Sequence, residues 1–241
     1  EVVRVGSGVT RFKVGDIAGV GCMVNACRHC EYCENDQEQY CMEGRVLTYS
    51  DKDLYHDNEI TRGGYSTNMV VDESFAIRVP KDAPLEKVGP LMCAGITTWS
   101  PIMQCGIKAG DKVGVAGFGG LGHMAVQYLV SLGAEFTVFD ITEEKRADAL
   151  RLGAKRYVNV TREEEMQGLD NTLRFILSTI PASYDPMMYI NILKVGGTLA
   201  VVGMPAVKDA PQINITALQN RYLTTSIIGG IKETQEVVDY S

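Results

Sequence analysis

Four cysteines crowd into the stretch ACRHCEYCENDQEQYC, residues 26–41: Cys27, Cys30, Cys33 and Cys41, out of seven in the chain. Thiolates are soft ligands, and four of them at C-x2-C-x2-C-x7-C spacing can close a tetrahedral zinc site. A closed site keeps no position for water or substrate, so it would be structural. Four close thiolates can also hold an iron–sulfur cluster. A redox pair needs only two cysteines, fewer than this run supplies. His29 sits between Cys27 and Cys30 and reads as exposed on the lobe rather than as a ligand. A secreted disulfide framework would spread cysteines along a short chain, so the clustering points to a reducing, cytoplasmic compartment.

A second chemical signal is GFGGLG, which sets Gly117, Gly119 and Gly122 in G-x-G-x-x-G spacing with Gly120 and Leu121 between the last two. It follows the apolar run KVGVA and opens the helix-patterned HMAVQYLVSLGA, the context that a dinucleotide turn requires. The first glycine makes the tight turn, the second admits a pyrophosphate to the backbone, and the third lets helix pack on strand. The helix N-terminus then turns free N–H groups toward phosphate. Asp140 ends the next strand, EFTVFD, eighteen residues after Gly122. A carboxylate there can accept from ribose hydroxyls and repels a 2′-phosphate, so NAD is expected over NADP. Lys145 and Arg146 follow closely and pull against that preference. The plainer alternative is a strand–turn–helix with glycines for packing and Asp140 as a solvated cap.

These residues need a scaffold. The chain has 241 residues, 45% hydrophobic and 22% charged, enough for one large domain or two smaller ones. A formal charge of −7 argues against nucleic acid or an anionic membrane as partner. No apolar run is long enough to span a bilayer. The ends are abrupt and there is no initiator Met, so sequence is expected to be missing on both sides. Up to about residue 80 the pattern is one of short strands and long loops: EVVRV, IAGVG, NMVV and FAIRV read as strands, and residues 43–64 as a polar, irregular loop. PLEKVGPLMCAGITTWSPIMQ reads as helix interrupted at Pro90 and Pro101. After that, strands alternate with helices: KVGVA, EFTVFD, RYVNV, RFILST and GTLAVVG as strands, TEEKRADALRLGA as a helix opened by Thr142, and DPMMYINILKVGG as a helix closed by glycines. Such alternation predicts a parallel sheet covered on both faces.

Taken together, VGVGCMVNACRHCEYC with Cys41, GGYSTNMVV, PLMCAGITTWSP, KVGVAGFGGLGHMAVQ and IIGGIKETQE resemble the zinc-dependent medium-chain alcohol dehydrogenases, most closely their cinnamyl-alcohol-dehydrogenase-like branch. The resemblance runs over essentially the whole chain. It implies an α/β fold: a Rossmann doubly wound parallel sheet plus part of a GroES-like, β-rich catalytic domain with a zinc lobe. The domains expected are a partial GroES-like domain over 1–84, with its structural zinc lobe at 26–42, and a Rossmann domain over 85–241 whose C-terminal return is missing.

The resemblance further implies that Cys27, Cys30, Cys33 and Cys41 hold a structural zinc and that Cys93 is one ligand of a catalytic zinc. The other ligands in the family, a Cys and the His of a G-H-E motif, have no counterpart in this chain. His56 reads as solvated, and His123 as near cofactor or core. Cys22 and Cys105 read as packing residues. Toward the cofactor, the matching positions are Thr97, Thr179, Gly203, Ser226, Ile227 and Ile228, in addition to Gly117, Gly119, Gly120, Leu121, Gly122, Asp140 and Lys145. Trp99 is either a pocket wall beside Cys93 or core. Relatives in this branch usually carry small hydroxyl residues where Asp140 stands, so Asp140 departs from their usual NADP preference. The implied activity interconverts primary alcohols and aldehydes with NAD or NADP, in a homodimer. The alternatives are a zinc-free quinone or enal reductase of the same architecture and a non-catalytic module that binds zinc and nucleotide.

Overall fold

The structure is a computed structural model that describes residues 1–206, 208 and 212–241. It divides into two compact units, Glu1–Ile96 with Ile228–Ser241 and Thr97–Ile227. The boundary expected at 84/85 therefore lies at 96/97, and the C-terminal segment belongs to the first unit. Side-chain patterning explains the shift. Ile231 and Val238 of the last helix share a buried core with Met23, Phe75, Ile77, Val79 and Met92. Residues 85–96 and 228–241 thus bury their apolar faces with the first unit, whatever their place in the chain.

The first unit begins with β1 (Ile17–Val20), β2 (Met23–Asn25), the single turn α1 (Glu31–Glu34), β3 (Val46–Leu47), β4 (Tyr49–Lys52), β5 (Ile60–Arg62) and β6 (Ala76–Val79). β1 pairs with β6, β2 with β3 and β4 with β5, all antiparallel. The loop expected over 43–64 is thus partly sheet. The β4–β5 turn is closed by the Asp53 N–H donating to the Glu59 carbonyl at 2.8 Å. Asp57 and Asn58 take left-handed backbone there, which short polar side chains tolerate. EVVRV and NMVV form no strand. Val2 is tied to the loop at Gly15 and Asp16 by two backbone bonds. Val70 is fully exposed, and no described strand pairs with its segment. A strand is completed by a partner strand, and among the described residues neither segment has one.

Next come α2 (Leu85–Val88), a 3-10 turn at Gly89–Met92 that holds Pro90, and α3 (Ala94–Gln104), which contains Pro101. The second unit then runs β7 (Lys112–Ala116), α4 (Gly120–Ser131), β8 (Glu135–Asp140), α5 (Arg146–Arg151), β9 (Arg156–Asn159), α6 (Glu163–Met166), β10 (Leu173–Ser178), α7 (Met187–Ile190), β11 (Leu193–Val201) and β12 (Tyr222–Thr225). α8 (Ile231–Tyr240) returns to the first unit. Its buried residues Ile231, Thr234, Val237 and Val238 form one stripe at helical spacing.

All six strands of the large sheet are parallel, in the order β12-β11-β10-β7-β8-β9. Read from the far edge, this is the Rossmann order 3-2-1-4-5-6, with the reversal between β7 and β10. Buried apolar runs such as Val113, Val115 and Ala116 suit strands covered on both faces. α4 stops where expected: Gly133 adopts φ +71, and the Ala134 N–H donates to the Leu129 carbonyl at 3.0 Å while the Gly133 N–H donates to Val130. This is a Schellman closure. Two helix expectations shrink. The helix foreseen from Thr142 starts at Arg146, because Ile141 and Thr142 are held by the Asp140 carboxylate. The helix foreseen over 185–197 is one turn only. Leu193 already pairs with Leu173, and a Cβ on Gly197 would lie 3.0 Å from the Arg174 carbonyl oxygen, so LKVGG is strand.

Candidate cofactor and metal sites

The glycine turn lies at the carboxyl end of β7, at the switch point of the sheet. Gly117 takes φ +88, a conformation that glycine adopts without penalty. The turn is braced from both neighbouring strands. The Gly117 N–H donates to the Phe139 carbonyl at 2.8 Å, the Phe118 N–H to Asp140 Oδ2 at 2.7 Å, and the Thr179 hydroxyl to the Gly117 carbonyl at 2.9 Å. A Cβ on Gly122 would stand 2.2 Å from the Gly117 carbonyl oxygen, so the third glycine seats α4 against the turn, as its spacing implied. A Cβ on Gly119 or Gly120 meets nothing within 4 Å, and both residues are exposed. That opening, at a helix start whose first N–H groups have no intrahelical partners, fits a pyrophosphate. Leu121 is half-buried in the first turn of α4.

Asp140 is buried and does not stand free for a ribose. Its Oδ1 accepts from the N–H groups of Ile141 and Thr142 and from the Thr142 hydroxyl, and its Oδ2 from Phe118 N–H and Lys145 Nζ at 3.0 Å. Burial pushes its carboxyl up, but the Phe118 N–H and Lys145 outweigh that and hold it below the ordinary carboxylate range. Three of the five donors are backbone and fixed. Only the Thr142 hydroxyl and the partly exposed Lys145 ammonium can give way to a ligand.

Other expected cofactor positions divide in the same way. Thr179 is buried, with its hydroxyl committed to the glycine turn. A Cβ on Gly203 would lie 2.0 Å from the Ile180 carbonyl oxygen, which makes this glycine a packing requirement at the sheet edge. The Ser226 hydroxyl is buried without a hydrogen-bond partner, and its backbone N–H donates to the Val201 carbonyl at 3.1 Å. Ile227 is half-buried, and Ile228 has φ +43. Thr97 lies on α3, half-buried, one turn beyond Cys93. Trp99 is buried and meets the Tyr128 ring edge-on at 5.1 Å between centroids, so it is core rather than pocket wall. His123 stacks on Phe118 at 4.0 Å, beside the turn rather than on a metal.

In the first unit, one ligand atom from each of Cys27, Cys30, Cys33 and Cys41 lies within 4.8 Å of every other. The Cys27 and Cys33 sulfurs are 3.8 Å apart. Zinc–sulfur bonds of about 2.3 Å in a tetrahedron put sulfurs about 3.8 Å apart, so the four fit a zinc ion. Backbone N–H groups point at the sulfurs. Cys27 donates to Cys41 at 3.4 Å and Cys30 to Cys27 at 3.3 Å. N–H groups of Met42 and Cys33 pull the Cys30 thiol down to about 6. Burial pushes Cys27 and Cys33 up. Four crowded sulfurs cannot all ionise unaided, and a dication at their centre removes that conflict. Arg28, at φ +69, anchors the knuckle by donating to Asp72 and to Asn25, each at 3.0 Å. His29 stays on the surface, bonded to the Cys27 carbonyl and to Glu43. His56 pairs with Asp53 and is exposed.

Cys93 is exposed, and Cys22 lies against it. The Cys22 thiol donates to the Met92 carbonyl at 3.7 Å, and its interaction with the neighbouring Cys93 sulfur pulls Cys93 down to about 6 and pushes Cys22 up. Cys22 is partly buried, as a packing residue would be, and adjoins Cys93. Only the fold brings together two cysteines 71 positions apart, and no spacing signal could have shown it. Among the described residues no third Cys, His, Asp or Glu joins them, and an open catalytic zinc site takes about three protein ligands. Cys105 is partly buried and raised by burial, as a packing residue would be.

A Rossmann sheet with a glycine turn at its switch point and a β-rich unit with a closed four-thiolate lobe define a dinucleotide-dependent dehydrogenase of two units. Residues 120–241 match the zinc-binding dehydrogenase family, and residues 1–81 match the alcohol dehydrogenase GroES-like domain. The chain is 44% identical to NADP-dependent alcohol dehydrogenase C 1 of Mycolicibacterium smegmatis, over 99% of this chain and 68% of that protein. CAD from Helicobacter pylori, solved with NADP(H), is 50% identical with a TM-score of 0.93, over 99% and 68%. A cinnamyl alcohol dehydrogenase of Sorghum bicolor is 36% identical with a TM-score of 0.95, again over 99% and 68%. The chain belongs to the zinc-dependent medium-chain alcohol dehydrogenases, in their cinnamyl-alcohol-dehydrogenase-like branch. No helix of the described residues is long and apolar enough to cross a membrane.

Proposed function

We propose that this protein interconverts primary alcohols and aldehydes, aromatic or allylic ones included, by hydride transfer with a nicotinamide dinucleotide. The open backbone at Gly119 and Gly120, at the switch point of a Rossmann sheet, carries the reading. A bound nicotinamide dinucleotide supplies the hydride chemistry. The chain's own residues bind and orient. Gly117, Gly119, Gly120, Leu121 and Gly122 cradle the pyrophosphate against the start of α4. Asp140 takes the ribose hydroxyls in place of Thr142 and Lys145. Thr97, Thr179, Gly203, Ser226, Ile227 and Ile228 line or support the nicotinamide side. Cys27, Cys30, Cys33 and Cys41 hold a structural zinc that shapes the lobe. Cys93 offers one thiolate to a second zinc.

Turnover of benzylic and allylic alcohols with each dinucleotide tests the reading. Alcohol oxidation is expected of the full-length protein, in which Cys93 is joined by further zinc ligands, and not of residues 1–241 alone, with kcat/KM higher for NAD than for NADP. Asp140→Ser should move that ratio at least about tenfold toward NADP, since it removes a charge beside the 2′-phosphate. Reduction of quinones or enals without alcohol oxidation would overturn the function, and a wild type that prefers NADP would overturn the role of Asp140.

A homodimer through β12 completes the proposal. β12 is the edge of the sheet, Tyr222 on it is exposed, and an unpaired edge invites a second strand. Light scattering should return twice the mass of one chain, and a single-chain mass refutes the dimer.

A further inference from the structure

The loop between the third and fourth cysteines reaches the point where the chain re-enters the first unit at Ile228. Glu38 Oε2 accepts the N–H of Ile231, the first residue of α8, at 3.1 Å. The Asp36 carboxylate takes the Lys232 ammonium at 2.9 Å. Backbone packing is closer still. A Cβ on Gly230 would stand 2.0 Å from the Asp36 carbonyl oxygen, and one on Gly229 would stand 2.5 Å from the Ile96 Cδ1. Both glycines are buried. Ile228, just before them, holds φ +43. A β-branched residue occupies left-handed backbone only where its surroundings over-determine it. Ile228 itself packs against the core of the first unit, and the two glycines after it are bounded by Ile96 at Gly229 and by Asp36 with Glu38 at Gly230.

We propose that Glu38 and Asp36 are positioning residues for dinucleotide binding: the four-cysteine lobe holds Ile228–Gly230 in place, and with it the end of the segment Ser226–Ile228 that walls the nicotinamide. The proposal rests on the dinucleotide reading above. It gives the lobe a task beyond holding its own loop. Order in residues 33–41, which the thiolate cluster imposes, is transmitted to α8 through a carboxylate on its first N–H and an ion pair one residue on. By linkage, whatever loosens the lobe weakens the dinucleotide, and a bound dinucleotide steadies the lobe.

Two variants of the purified protein test this. Glu38→Ala removes the acceptor for Ile231, whereas Glu38→Gln keeps a carbonyl oxygen in its place. For each, zinc per chain is measured by elemental mass spectrometry, the Kd for NAD and for NADP by calorimetry, and amide exchange at Ile231 by hydrogen–deuterium mass spectrometry. Glu38→Ala should keep its lobe zinc, exchange Ile231 faster and raise the Kd about fivefold, the effect of one lost charge-assisted hydrogen bond. Glu38→Gln should stay within about twofold of wild type, a rescue that general destabilisation would not produce. An unchanged Kd in Glu38→Ala overturns the proposal. If Glu38→Ala loses zinc or fold, Lys232→Ala decides, because it unfastens Asp36 from the helix side and leaves the lobe intact; an unchanged Kd there also overturns it. A wild type that binds neither dinucleotide sinks the cofactor reading instead, and unchanged exchange at Ile231 in Glu38→Ala would then sink the anchoring.

Discussion

Cys33→Ser is expected to release the metal of the lobe and to lower the melting temperature by more than about 10 °C. Cys33 is the buried member of the four and sits in the core of the first unit with Met23, Phe75 and Ile77. Removing it costs twice. A hydroxyl is a poor zinc ligand, and zinc binding in a folded four-thiolate site is worth on the order of 10 kcal/mol. The freed loop then leaves the N-terminus of α8, whose stripe Ile231 and Val238 is part of the same core. Even half of that binding energy, spread over a chain of this size at roughly 2–4 °C per kcal/mol, gives the stated shift. Cys105→Ser is the control, since Cys105 lies in the second unit outside the cluster. Metal content and calorimetry of the two variants make the comparison. A Cys33→Ser protein that keeps its lobe zinc, or a wild type whose lobe binds iron and absorbs in the visible, sinks the assignment.

The second large effect separates two glycines three residues apart. Gly122→Ala should destabilise the protein by about 3 kcal/mol, the upper end for overpacking, because the new methyl meets the Gly117 carbonyl at 2.2 Å and backbone must move. Gly119→Ala should leave stability within about 0.5 kcal/mol, since its methyl meets open space and its φ of −95 suits alanine. Dinucleotide binding should show the contrary order of sensitivity relative to stability. Gly119→Ala should weaken binding at least about tenfold with no change in melting temperature, because the second glycine marks where backbone approaches the pyrophosphate. Equal affinity in Gly119→Ala and wild type would falsify the cradle and leave the turn a packing device.

The Rossmann half was legible because its signals are local. KVGVA, EFTVFD, RYVNV and RFILST are apolar runs broken by turn residues, and each is a strand of the sheet. GFGGLG stands between an apolar run and a helix-patterned stretch in the sequence itself. The first unit was less legible. Its strands β3 to β5 are two to four residues long, too short for a period to show. EVVRV and NMVV have the composition of strands, but among the described residues no strand pairs with them.

The parallel sheet, the turn at its switch point and the four-cysteine lobe are readable from the residues alone, because each depends on one short stretch or on a repeated period. Packing in three dimensions sets where the units divide, what occupies the Asp140 carboxylate, that Cys22 lies beside Cys93, and that Glu38 holds Ile231. The last pair is 193 positions apart, and the Cys22 pair 71. Contacts at such separations leave no spacing to read. They exist because buried N–H groups, carboxylates and thiols must find partners once the core is packed, and packing chooses which partners are within reach.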